Sequence, residues 1–479
     1  MRKSILWLTV QLFAFTVYSQ TWQWTKQNGG PANGRAICTD GAGNCYAAAD
    51  SSGYARIIKY DISGTAGWDV IAWTGNAEAI ADHANYLYVA GDSSNFIRIG
   101  KYDHTGNKLW QINGGSGNVN GITLDNTGNI YTTGDGNLLS KYDASENLLW
   151  NVTLPATGSS IAVDTSGNSY ITGYFTGTVS FGSYTFTALG SQDIFTAKYD
   201  TAGNCVWAKR AGGRHPCCRS DIGYAITTDN AGNCYITGSV ADTADFDSFV
   251  LTAWLDDIFV AKYDVAGNVV WVKQGTGGSD QEGRCITLDN DGNVVIGGSY
   301  VPNVNFDGYS MTGWGNYDAF IAKYDNNGNF ISAIKAGGPA WNEYIYGICS
   351  DYSGNIFFTG SFSDTAYFGS DTLVSDGGYN VCTGKIDLET GIGEIAADLF
   401  NLAVYPNPAN EQITLESSEA VNENTIVQIK NTLGQTVKAI QFNKGNNRME
   451  VDVSDLSPGF YFIRLQNGNK LFSKKFIKQ

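Results

Sequence analysis

The sequence predicts an all-β chain built from repeats, and three observations carry that reading. Two short motifs alternate seven times, 58 glycines punctuate short apolar runs, and aromatic residues reach 13% while charged residues stop at 16%. Aromatic and β-branched residues favour strands, and Gly, Asn and Asp supply the turns between them. The chain has 479 residues and a formal charge of −16. Nucleic acid and anionic membrane surfaces call for clustered Lys and Arg, so neither is an expected partner.

At the N-terminus, Arg2 and Lys3 precede an apolar run from Ile5 to Val17, and Ser19 offers a small residue at its end. That is the layout of a secretory signal peptide over 1–19, with cleavage between Ser19 and Gln20. The run is too short for a comfortable membrane span. No Cys follows it, which argues against a lipid anchor, and no later stretch is apolar enough to span a membrane in the mature protein.

The first motif reads Lys-Tyr-Asp, a Gly-Asn turn and Trp, and begins at Lys59, Lys101, Lys141, Lys198, Lys262 and Lys323, with a degenerate copy at Lys385. The second reads Asp-x-x-Gly-Asn-x-Tyr and begins at Asp40, Asp82, Asp125, Asp164, Asp229, Asp289 and Asp351. Each motif is a hairpin: Gly takes the positive-φ position, and Asp and Asn tie the turn through their side chains. Two hairpins per repeat make four strands, the pattern of a seven-bladed β-propeller over 20–391. The last Lys-Ile-Asp copy lacks a Trp strand, while Trp24-Thr25-Lys26-Gln27 is an orphan one near the N-terminus. The N-terminal strand is therefore expected to complete the seventh blade and cover its open edge.

Gly-x-Phe, then Phe-Gly or Phe-Asp, then Asp-x-Phe-x-Ala-Lys-Tyr-Asp-x-x-Gly resembles the seven-bladed propeller repeats of bacterial secreted proteins (SBBP-like repeats), most clearly at Gly173–Gly203 and Gly238–Gly267. The resemblance implies fold and leaves activity open, because propellers host many functions.

After Gly391 tryptophan and cysteine disappear, and charge balances at nine acidic against nine basic residues. The propeller region then holds 37 acidic and 19 basic residues, −18. A linker over 392–401 leads to seven short strand candidates, Leu402–Tyr405, Gln412–Leu415, Ile426–Lys430, Thr436–Gln441, Met449–Val453, Phe460–Leu465 and Leu471–Ile477. They suggest a small Ig-like β-sandwich over 402–479. Val404-Tyr405-Pro406-Asn407-Pro408, Asn431-Thr432-Leu433-Gly434-Gln435, Leu456-Ser457-Pro458-Gly459 and the Lys474-Lys475 ending are similar to the type A sorting domain of the type IX secretion system (T9SS) found in Bacteroidota. That resemblance implies the type IX machinery as a partner. It also implies export across the outer membrane, removal of the domain, and a secreted protein, extracellular or attached to the outer cell surface.

Function is sought where the repeats differ. The hairpin turns repeat; the connections at the other end vary, with 34 residues between Asp164 and Lys198 against 16 between Asp125 and Lys141. Binding residues concentrate on variable segments held by a rigid frame. Trp254, Trp314, Trp341, Asp280, Glu282, Glu343 and His215 lie on these connections and are the candidate binding residues, since aromatics beside carboxylates suit sugar stacking or cation capture. The expected role is binding of a carbohydrate, peptide or surface partner. The alternatives are a polysaccharide hydrolase or lyase with its site on the same face, and a structural surface or matrix component. No nucleophile, zinc-protease or phosphate-loop motif occurs. His215 with Cys217 and Cys218 is a weak metal set and Asp289-Asn290-Asp291 reads as a plain turn, so no metal or cofactor is expected. Nine cysteines leave at least one unpaired. Cys38, Cys234, Cys285, Cys349 and Cys382 fall at strand positions and read as small core residues, so no disulfide framework is expected to hold the fold; Cys38 and Cys45 flank one hairpin and are the one pair that could bridge.

Overall fold

The computed structural model describes residues 21–28, 32–135, 138–214, 219–339, 342–351, 353–388, 402–417, 425–430, 436–467 and 470–479. None of these is helical. The expected signal peptide with its Ser19–Gln20 cleavage site, the linker 392–401, His215 and Trp341 lie outside the described residues. Thr21–Leu388 forms one compact unit, and 389–479 belongs to a second.

The first unit contains seven antiparallel four-strand sets. In six of them the strands follow one another in sequence, as in Ala32–Thr39, Cys45–Ser51, Tyr54–Tyr60 and Ala66–Thr74. The seventh is built from Glu343–Ser350, Ile356–Phe368 and Asp371–Asp387, and its fourth strand is Thr21–Asn28. There Trp24 lies opposite Lys385 and Asn28 opposite Val381. The first strands of successive sheets touch in chain order: Ala32–Thr39, Asn76–His83, Val119–Leu124, Thr157–Val163, Ile222–Thr228, Gln281–Leu288 and Glu343–Ser350, the last touching the first again.

The inner strands of each sheet are buried on both faces between neighbours, which is why strands such as Asp193–Tyr199 are buried at every position and show no polar alternation. Tryptophan locks neighbour to neighbour. Its indole N–H donates to a turn carbonyl in the following sheet: Trp24 to Ile62, Trp68 to His104, Trp150 to Thr201, Trp207 to Val265 and Trp271 to Asn326, at 3.0–3.2 Å.

Two expectations are corrected, and the Cys38–Cys45 alternative is decided against. Asp82 does not open the repeated Asp-x-x-Gly-Asn turn; His83 pairs with Tyr86 across a tight two-residue turn, where Ala84 and Asn85 take φ of 51° and 71°. Cys38 and Cys45 form no disulfide, and every described cysteine is free. Thr39, not Cys38, faces Cys45 across the ladder, so Cys38 and Cys45 project from opposite faces. The long connections of the last four sheets are β-hairpins, not irregular loops: Thr178–Phe181 with Tyr184–Thr187, Asn303–Phe306 with Tyr309–Thr312, and the extended ends of Cys234–Phe246 and Ile356–Phe368. Their common Phe181, Phe246, Phe306 and Phe368 are buried. The hairpin carrying Phe306 adds to the outer strand of the preceding sheet, with Phe306 opposite Gly275.

In the second unit, Leu402–Tyr405, Gln412–Ser417 and Arg448–Asp452 form one sheet. Thr425–Lys430, Thr436–Phe442, Gly459–Asn467 and Lys470–Lys478 form another. Ile413, Leu415 and Val451 from the first meet Val427, Ile429, Ile463 and Phe476 from the second in one buried core.

Candidate functional site

The two ends of the sheets differ in chemistry. At one end sit the repeated turns. Asp125 is typical: Oδ1 accepts the amides of Thr127 and Asn129 at 3.0 Å, while Oδ2 accepts Asn129 Nδ2 at 2.8 Å and the Tyr131 hydroxyl at 3.1 Å. Gly128 closes the turn at a φ of 82°. The motif lysine tucks over the tyrosine ring, Lys141 lying 4.8 Å from Tyr131 and Lys198 4.8 Å from Tyr170. Where Val295 replaces the tyrosine, Lys323 bonds Asp289 directly at 2.8 Å. Burial works against ionisation of these aspartates, but the converging donors outweigh it and hold Asp125, Asp164 and Asp289 below the usual carboxylate range. These groups satisfy one another and are structural.

At the other end the seven first strands share one irregularity. Each slips register by one residue against its partner: between Gly34 and Ala36, Ala77 and Ala79, Val119 and Gly121, Gly158 and Ser160, Gly223 and Ala225, Gly283 and Cys285, Ile345 and Gly347. The extra residues are Arg35, Glu78, Asn120, Ser159, Tyr224, Arg284 and Tyr346. A bulge releases one residue from the ladder and re-aims its side chain. All seven line a single cavity of about 470 Å3. They lie towards the start of their strands, away from the turns that end them.

The bulge residues are held by further side chains. Arg35 Nε and Nη2 donate to Asp50 Oδ2 at 2.9 and 2.8 Å, and Glu78 Oε2 lies 3.8 Å from Arg35 Nε. Arg284 Nε and Nη2 reach Glu282 Oε2 at 2.8 and 2.5 Å, with the guanidinium 4.1 Å over the Tyr224 ring. Asn120 Nδ2 donates to Asp135 and to the Gly158 carbonyl, both at 3.1 Å. Burial pushes the Glu78 carboxyl up; Arg35 opposes this, and Asp50, Asp92 and Asp135 add to it.

The residues singled out from sequence are dispersed. Glu282 reaches the cavity wall through Arg284 and Tyr224. Asp280 pairs with Arg219 at 3.3 Å, and Asp256 holds the same guanidinium at 2.9 Å. Trp254 is 80% exposed. Trp314 is 53% exposed, with Lys335 Nζ 4.0 Å over its ring and Tyr367 edge-on. Glu343 is only 1% exposed: it opens a strand and does not stand on a loop. Its Oε2 accepts the Gly338 amide at 3.1 Å, and Oε1 has no hydrogen-bond partner. Burial pushes its carboxyl up to about 9, with Asp318 and Asp364 reinforcing the shift against the Gly338 amide. Among the described residues no group of three His, Cys, Asp or Glu is placed to hold a metal.

Of the seven bulge residues, sequence reasoning found none. A signal was present: a small residue and then Ile follow each of them, from Ala36-Ile37 to Gly347-Ile348, so one column varies freely beside two that do not.

Two family models match parts of the chain. Residues 403–479 match the family described as Secretion system C-terminal sorting domain, and residues 155–177 match Beta-propeller repeat. A stretch of 190 residues is 27% identical to the Uncharacterized WD repeat-containing protein L264 of Acanthamoeba polyphaga mimivirus, covering 34% of this chain and 13% of that protein. Among solved structures, the WD40 β-propeller domain of Doa1 is similar with a TM-score of 0.46 and 13% identity, over 78% of this chain and 98% of that one. Among the described residues no helix is long and apolar enough to cross a membrane. A β-propeller repeat and a type IX secretion sorting tail on one chain mark an exported propeller protein.

Proposed function

We propose that the chain is a seven-bladed β-propeller closed by its N-terminal strand, exported through the type IX system, that binds a carbohydrate, peptide or surface partner at the end opposite the Asp turns. The observation that carries the reading is the contrast between the two ends. One presents near-identical, internally satisfied turns; the other presents a cavity whose seven bulge residues, two Arg, two Tyr, Glu, Asn and Ser, differ between neighbouring sheets. Discrimination between ligands needs differing groups, and a rigid frame lowers the cost of ordering them.

Trp254 stands exposed on a hairpin of the same end and Trp314 in the bend that follows another, and both are the proposed rim contacts, with Asp280 and Glu282. His215 and Trp341 belong to the same proposed rim by their place in the sequence. Glu343 is assigned a structural role on account of its burial. Binding is favoured over turnover by the way the carboxylates are engaged: Glu282 by Arg284, and Asp256 and Asp280 by Arg219. In this reading the signal peptide 1–19 and the Ig-like domain 402–479 are removed during export, leaving 20–391 with the linker at the cell surface or released.

A glycan and peptide array probed with the secreted protein tests the proposal. Replacing Trp254 or Trp314 by Ala is expected to weaken any hit by about 1–3 kcal/mol, the range of moderate hot spots. An array without hits, or hits indifferent to both substitutions, counts against it.

A further inference from the structure

We infer that the cavity at the seven bulges is a saccharide site, taking a neutral, hydroxyl-rich portion of a glycan between the Tyr224–Arg284–Tyr346 wall and Glu78. The inference rests on the ligand-binding reading above and gives it a place and a chemistry.

The charges in the cavity disfavour simpler ligands. An anion meets two guanidiniums that are already committed, Arg35 to Asp50 and Arg284 to Glu282, and it meets Glu78 as well. A lone cation meets Glu78 and Asp135, the latter engaged by Asn120, but also Arg35, 3.8 Å from the Glu78 carboxylate, and Arg284 in the same wall. A hydroxyl group both donates and accepts. One polyol therefore serves the guanidinium N–H groups that Asp50 and Glu282 leave over, and also the Glu78 oxygens, which accept no hydrogen bond among the described residues. Asn120 has its Nδ2 occupied by Asp135 and Gly158 and keeps Oδ1 as an acceptor.

The walls also fit the apolar side of a sugar. Arg284 is stacked 4.1 Å from the Tyr224 ring centre, and Arg35 stands 5.8 Å from that of Tyr346. Such planar, charge-anchored pairs present flat surfaces at little entropic cost, against which the C–H face of a pyranose packs. A cavity of about 470 Å3 falls within the range of small-molecule sites.

The test is calorimetric titration of the secreted protein with short neutral oligosaccharides of glucose, xylose, mannose, galactose and N-acetylglucosamine, beside oligogalacturonate and spermidine as anionic and cationic probes. At least one neutral series is expected to bind with a dissociation constant below about 1 mM. Glu78→Gln, which preserves shape, and Asn120→Ala are each expected to weaken it about tenfold, the loss of one hydrogen bond to a charged or preorganised group. Unchanged melting temperatures identify properly folded variants. Binding confined to the charged probes, or a neutral hit that ignores both variants, overturns the inference. If that hit instead falls in Trp254→Ala or Trp314→Ala, the rim reading stands and the cavity site alone is lost. No binding by any probe, with an empty array, overturns both.

Discussion

Glu343 should make the protein less stable at neutral pH than it needs to be. Its carboxyl is 1% exposed, with one amide donor at 3.1 Å and one oxygen without a partner. The neighbouring Asp318 is also buried and has an unpartnered Oδ1. Burial carries Glu343 from an ordinary 4.5 to about 9. The folded chain therefore holds a proton that the unfolded chain releases. Its contribution to stability is complete below the unfolded value and is lost, at about 1.4 kcal/mol per pH unit, as pH rises towards the folded value. At about pH 7 the accumulated cost reaches roughly 3–4 kcal/mol, the upper bound on what the variant can recover. Glu343→Gln keeps the neutral shape at every pH. Gln281 already occupies the same position in the sixth sheet, facing Tyr300 as Glu343 faces Phe362. The variant should match the natural protein at about pH 4 and exceed it by about 1–3 kcal/mol near pH 7, a rise of a few degrees in melting temperature for a unit of this size. Scanning calorimetry of the secreted protein across that range reads the difference. Parallel pH profiles for the two proteins, or a variant less stable at neutral pH, would refute the reasoning.

Trp24→Ala should cost about 3–5 kcal/mol in chemical denaturation, as for other buried large-to-small changes, since Trp24 is 8% exposed and hydrogen-bonded to Ile62; an unchanged midpoint would remove the N-terminal strand from the cooperative unit. Asp125→Ala should lower stability by about 1–3 kcal/mol, because two buried-turn amides lose their acceptor, while leaving affinity for any array hit untouched. Intact mass and N-terminal sequencing of secreted material should show a start at or near Gln20 and loss of the C-terminal sorting domain; full-length protein retained inside the native host speaks against the export reading.

Much of the fold was legible because the repeats spell it out. Asp125-Asn126-Thr127-Gly128-Asn129 carries the acceptor, the positive-φ glycine and the capping amide of its turn in five consecutive residues, and the seven strands of the tail lie within three residues of where alternation and turn residues place them. The exceptions have local causes. Asp82-His83-Ala84-Asn85 lacks the glycine and adopts a different turn. The long connections read as loops because their polar outer faces hide one buried Phe each, and only three-dimensional packing identifies Phe306 opposite Gly275 as an added strand. The bulges were legible only from the seven copies taken together, through the small residue and Ile that follow each. A period of two assigns Arg35 and Ile37 to one face as ordinary strand residues, and nothing local marks the slip of one residue that frees Arg35 from the ladder. Glu343 was misplaced because a carboxylate near Gly337, Gly338 and Pro339 looks like a loop residue until its burial is seen.

The strand Thr21–Asn28 also sets an order of events in time. It pairs with Asp371–Asp387, and the Thr25 amide bonds Asp371 across 346 positions of sequence. Each sheet of local hairpins can form as soon as its own residues are available, in microseconds to milliseconds. This pairing must wait for nearly the whole unit, and bringing its ends together costs about 5 kcal/mol of chain entropy. A nascent or threading chain therefore carries an unpaired Trp-rich segment until its last sheet arrives. The same strand, held by its partner in the seventh sheet and by the Trp24–Ile62 bond to the first, is where a complete molecule would begin to come apart. Its detachment rate is then the natural quantity to compare with proteolysis or handling outside the cell.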